Sequence, residues 1–188
     1  MPLRFLIQPG WADSDPGHWQ SHWQRRLGER AEKIEQQDWF SPRLKEWEET
    51  ALEIIARQQV PVVILAHSVG CILAAKLLAQ PLSPVVGAML VAPADVERPG
   101  VPEQTANFAP ISRAPLAVPA LVVSSSSDPF CSAERAEEFA AAWQADLWRI
   151  GDAGHINSAA GFGEWPEGWQ YLTDWLGKRV EARSEQVS

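Results

Sequence analysis

The sequence predicts an α/β fold on a mostly parallel sheet of about six strands, and three observations predict it. Short apolar runs alternate with amphipathic stretches from one end of the chain to the other, the pattern of repeated strand–helix units. The central runs, "VPVVILA" and "VVGAMLVA", are apolar without alternation, as in strands covered by helices on both faces. Prolines, glycines and serine-rich turns punctuate the boundaries between them. With 188 residues, 46% hydrophobic, the chain suits one domain with a sizeable core, expected over residues 1–182 with a polar, frayed tail at 183–188.

Taken in order, "LRFLI" (Leu3–Ile7) is a short apolar run stopped by Pro9-Gly10 and reads as a first strand. In the following "SDPGHWQSHWQRRLGE", Ser14 or Asp15 could cap a helix whose Trp19, Trp23 and Leu27 share one face. "EKIEQQ" is a poorly apolar second strand. Ser41-Pro42 has the form of an N-cap with proline at the first helical position, opening an amphipathic helix marked by Leu44, Trp47, Ala51 and Ile55. "VPVVILA" is a central strand and "VGCILAAKLLAQ" its helix, ended by Pro81. Val85–Ala92 and "PALVVSSSS" are two further strands, and Ser132 is placed to cap "SAERAEEFAAAW". "ADLWRI" is a last strand and "PEGWQYLTDWLGKRVEA" a last helix. Right-handed crossovers are expected, and the expected strand order is 2-1-3-4-5-6, with helices on both faces. Residues 93–118 are the one long irregular stretch, read as a cover or mobile segment.

Composition narrows the function. A net charge of -8 disfavours a nucleic-acid binder, which needs a basic stripe. No apolar run approaches the ~20 residues of a membrane span. The N-terminal run ends at Pro9-Gly10, unlike a signal peptide. Two cysteines, Cys71 and Cys131, make neither a disulfide framework nor a zinc spacing, and a cytoplasmic location is expected. Ten tryptophans against one tyrosine suit a core as well as a pocket.

"AHSVG" joins the central strand to its helix. A serine hydroxyl needs a histidine base, a carboxylate to orient that base and donors for the oxyanion before it attacks a carbonyl. A sharp strand–turn–helix presents such a serine, and its flanks must be small, as Ala66 and Gly70 are. Asp128 follows the strand "PALVVSSSS", and His155 lies in the loop "IGDAGHIN" after the next strand. The order Ser68, Asp128, His155 on successive strand ends is that of an α/β-hydrolase. Singly, these are a turn serine, a helix cap and a loop histidine; together they read as a triad, with Asp152 the rival acid. The oxyanion donors expected are the backbone N–H of Val69 and that of Gly10 or Trp11, in the loop "QPGW" after the first strand.

"PGW" followed by "HWQSHW", then "LAHSVGC", "SSSDPFC", "GHIN" and "GFGEWPEG", resembles the small serine-hydrolase family that includes retinoblastoma-binding protein nine and the bacterial YdeN proteins. The resemblance spans nearly the whole chain. It implies a compact α/β-hydrolase with no large cap domain, acting on ester or amide bonds through Ser68, Asp128 and His155. It also implies that His18 and Trp19 pack close to the active-site loop. Pocket-protein binding is not carried over, because the chain has no Leu-x-Cys-x-Glu segment.

His18 and His22 have the four-residue spacing of paired metal ligands but lack the intervening glutamate and a third ligand, so neither metal nor cofactor is expected. His67 reads as an elbow residue pointing away from the base, Cys71 as a buried small hydrophobe, and Cys131 as exposable. Trp11, His18, Phe108 and Trp165 are the expected pocket walls. The sequence thus predicts a serine hydrolase of small carboxylic esters or amides, working through an acyl-enzyme on Ser68. A binding module with little turnover and a thioesterase stay open as alternatives.

Overall fold

Six consecutive residues, Val62–His67, are buried and form β3 near the middle of the sheet. The computed structural model describes residues 3–186, with side chains as far as 179. Around β3 are β1 (Arg4–Gln8), β2 (Ala31–Lys33), β4 (Val85–Val91), β5 (Ala120–Ser124) and β6 (Asp146–Arg149). Every neighbouring pair is parallel, in the order β2-β1-β3-β4-β5-β6. The expected order is the observed one.

Side chains alternate between the two faces of each strand, and each face has its own core. Leu6, Ile64, Ala66, Leu90 and Val122 pack against α2 (Leu44–Ala56), α3 (Val69–Leu78) and α5 (Ala133–Trp143). Phe5, Ile7, Leu65, Val91 and Val123 pack against α1 (Trp19–Leu27) and α6 (Pro166–Gln186). This second face is a tryptophan assembly: Trp19 meets Trp23 at 4.7 Å edge-on, and Trp23 stacks on Trp165 at 5.7 Å. Among the described residues no helix is long and apolar enough to cross a membrane.

Helix starts depart from the sequence pattern where distant groups compete. Helix α1 is capped by His18, whose Nδ1 accepts from the Gln20 N–H at 3.2 Å, because Asp15 already accepts from the Gly17 N–H at 2.8 Å. Helix α2 begins two residues later than Ser41-Pro42 predicts. The Asp38 carboxylate takes the Phe40 and Ser41 N–H groups into a turn, and Asn107 accepts from the Leu44 N–H at 2.7 Å. Ser132 does cap α5, accepting from the Arg135 N–H. The stretch 93–118 is partly ordered by α4 (Glu103–Ala106), and its Asn107 ties it to α2. Helix α6 continues to Gln186 through the region expected to fray; Val187 and Ser188 lie outside the described residues.

Candidate active site

Strand β3 ends at His67, and the chain turns at once into α3. Ser68 has φ 56° and ψ -128°, a left-handed backbone that a non-glycine residue adopts only where its surroundings impose it. Two glycines make the turn fit. A Cβ on Gly70 would lie 2.5 Å from the Pro9 carbonyl oxygen, and one on Gly10 would lie 2.6 Å from the Ser68 Cβ. The loop after β1 therefore runs directly against the serine.

The Ser68 Oγ lies 2.9 Å from the His155 Nε2. The Nδ1 of that ring lies 3.0 and 2.9 Å from the two oxygens of Asp128. Both side chains are shielded, His155 at 9% and Asp128 at 3% exposure, which strengthens the pair electrostatically. The rival Asp152 is turned elsewhere, accepting from the Ser127 hydroxyl at 2.5 Å. The loop carrying His155 is pinned by its main chain. Ser125 and Ser127 accept from the Ala153 and Gly154 N–H groups, both at 3.0 Å, and the Trp19 indole donates to the Ile156 carbonyl at 3.1 Å.

His67 has a larger part than an elbow filler. Its Nε2 lies 2.9 Å from the His155 carbonyl oxygen, so this ring nitrogen carries the proton and donates. His18 packs edge-on against it at 4.7 Å. Burial pushes His67 well below the usual imidazole range and His18 down to about 4, the latter partly offset by Asp15. Both are therefore neutral supports near neutral pH.

A cavity of about 180 Å³ opens beside Ser68, His155 and Val69, lined further by Trp11, Ala94, Val96, Arg98 and Phe130. Among the described residues no group of three His, Cys, Asp or Glu side chains could hold a metal ion.

The family model for serine hydrolases matches residues 5–174. The chain belongs to the serine hydrolase family. A crystal structure described as a YdeN-like hydrolase from Pectobacterium atrosepticum is 37% identical, with a TM-score of 0.81 over 92% of this chain and 89% of that one. The ydeN product of B. subtilis is 21% identical and shares the fold, at a TM-score of 0.80 over 94% of this chain and 100% of that one. The mouse α/β hydrolase domain-containing protein 10 shares it more distantly, at 12% identity, a TM-score of 0.62 and coverage of 82% of each chain. No curated protein matches in sequence. The protein has the α/β-hydrolase fold, and its described residues include no large cap domain.

Three of the four expected pocket walls are elsewhere in this serine hydrolase. Phe108 is 1% exposed and packs edge-on against Trp47 at 5.4 Å, held by the α2 face of the core. Trp165 is sandwiched in the tryptophan face, between Trp23 and Trp148. His18 is buried at the start of α1. Only Trp11 lines the cavity, its indole N–H donating to the Phe40 carbonyl at 3.0 Å. Cys131, read as exposable, is buried, and burial together with the Asp128 charge pushes its thiol up to about 12. The aromatic wall that the sequence reading missed is Phe130, whose ring meets His155 edge-on at 4.6 Å; Ala94, Asp95, Val96 and Arg98, also on the wall, carried no signal in the sequence. The signal for Phe130 was its position two residues after Asp128, where the Asp128 carboxylate accepts from the Phe130 N–H at 2.8 Å and turns the side chain back over the site.

Proposed function

We propose that the protein hydrolyses small carboxylic esters, with amides as a secondary class, through an acyl-enzyme on Ser68. The observation that carries this reading is the continuous Ser68–His155–Asp128 hydrogen-bonded chain at the mouth of a cavity. Ser68 donates its proton to the His155 Nε2 as its oxygen attacks the carbonyl. Asp128 accepts from the Nδ1–H, so the other nitrogen stays free to act as base, and it stabilises the imidazolium that forms. His155 then returns the proton to the leaving oxygen, and water repeats the sequence on the acyl-enzyme.

The negative charge on the carbonyl oxygen falls to backbone donors. Val69 opens α3, so its N–H has no partner within the helix. The second donor is the N–H of Gly10 or Trp11, supported by the close approach of that loop to Ser68. The small cavity, below the ~300 Å³ at which drug-sized ligand sites begin, favours a short acyl group held between Trp11 and Phe130. Two buried free cysteines suit a reducing compartment, and we place the protein in the cytoplasm.

The test is covalent labelling by a fluorophosphonate, with Ser68→Ala and His155→Ala beside the wild type. Labelling of the wild type alone, together with a loss of ester turnover of about 10³-fold or more in each variant, is the expected outcome. A folded wild type that does not react would overturn the reading and favour a binding module on a hydrolase fold.

A further inference from the structure

The walls of the cavity carry two opposite charges, Asp95 and Arg98, and they differ in what they already bind. The Asp95 carboxylate receives the Arg135 Nε–H at 3.1 Å and the Glu97 backbone N–H at 3.0 Å, so its charge is matched from within the protein. Arg98 has no such match. Among the described residues no carboxylate lies within ion-pair distance of it, and its one side-chain hydrogen bond runs from Nε to the Phe130 carbonyl at 3.3 Å. Its guanidinium carbon sits 5.5 Å from the centre of the Phe130 ring. That ring is in turn the one against His155. A stacked, single-bonded guanidinium keeps its two terminal nitrogens free, in the fork that grips a carboxylate with two parallel bonds.

We propose that Arg98 selects esters that carry a carboxylate, binding it while the scissile carbonyl lies at Ser68. This rests on the serine-hydrolase reading above and narrows its substrate class. A cationic substrate is disfavoured, because Asp95, the carboxylate on the cavity wall, would have to leave Arg135. The preferred substrate is a monoester of a dicarboxylic acid, with the anion in the acyl half, or an ester of a hydroxy acid, with the anion in the alcohol half.

The experiment compares kcat/KM for matched pairs. The 4-nitrophenyl monoester of glutaric acid is set against 4-nitrophenyl valerate, and 4-butyryloxybenzoate against its methyl ester. The wild type is expected to favour the anionic member of one pair, which locates the carboxylate, and Arg98→Gln to lower that ratio about tenfold. A wild type indifferent to the charge in both pairs overturns the proposal. So does an Arg98→Gln variant in which both members fall together, since Arg98 would then only support Phe130. Fluorophosphonate labelling separates this from failure of the hydrolase reading. Should the wild type not react, an NMR titration of monomethyl glutarate into the Ser68→Ala protein decides. Shifts at Ala94–Arg98 that Arg98→Gln removes support the proposal, and shifts absent or unchanged overturn it.

Discussion

Aromatic side chains build two regions of this molecule with opposite results. Between α1 and α6, Trp19 and Trp23 are at most 1% exposed and Trp165 is 7% exposed, each held ring against ring. At the cavity mouth, Trp11 and Phe130 are 39% and 37% exposed, each anchored along one edge while the remainder faces the opening. The packed face supports the site from behind, since Trp19 holds the Ile156 carbonyl next to His155. The open pair lines the cavity beside Ser68. What separates a wall from a prop is whether an element of the opposite layer covers the ring, and aromatic character alone does not decide it.

The largest break in this comparison is expected at Trp19. Replacing it by alanine leaves a cavity between α1 and α6 and removes the bond to the His155 loop. Unfolding in urea should show a loss of about 3–5 kcal/mol. Loss below about 1 kcal/mol would mean that the face is loosely packed and not a prop.

The second test uses pH. His18 stays neutral in the folded chain down to about 4, because burial opposes its charge and His155 adds to the opposition, while Asp15 and Asp13 favour the charge. The unfolded chain takes up that proton at the ordinary 6.5. The stability from the neutral form is therefore complete above pH 6.5 and is lost as pH falls toward 4, by about 2 kcal/mol at pH 5. His67 acts in the same direction. His18→Asn keeps a capping side chain and should flatten this slope between pH 7 and 5; an unchanged slope would assign it to other groups.

The smallest stability effect belongs to the mouth. Phe130→Ala should cost about 1 kcal/mol or less, because its ring is already partly in water, yet raise KM for a short ester several-fold. Equal losses of stability and turnover would make Phe130 a prop after all.

Much of the site was legible because it lies at strand ends. Ser68 and Asp128 follow the buried strands β3 and β5, His155 follows the edge strand β6 of the same parallel sheet, and strands that run the same way deliver their C-terminal loops to one edge. Phe108 and Phe130 show where legibility stopped. Both are phenylalanines in loops near that edge, but α4 and Asn107 fold the first onto Trp47, while the Asp128 turn aims the second at His155. Likewise Ser41 looks like a cap, and only the remote Asn107 and the Asp38 turn take that role from it.

The sequence by itself determined the alternation of strands and helices, their order in the sheet and the small residues around Ser68. The alternation and the turn depend on local periodicity and on steric room beside a sharp bend, and the right hand of crossovers narrows the orders a parallel sheet can take. Only the tertiary structure decided that Asp128 and not Asp152 faces His155, and that His67 carries the His155 main chain. It alone decided, too, which aromatic rings meet solvent. Each of these depends on contacts between residues tens of positions apart, and residue type and spacing along the chain do not encode which of several chemically suitable neighbours arrives first.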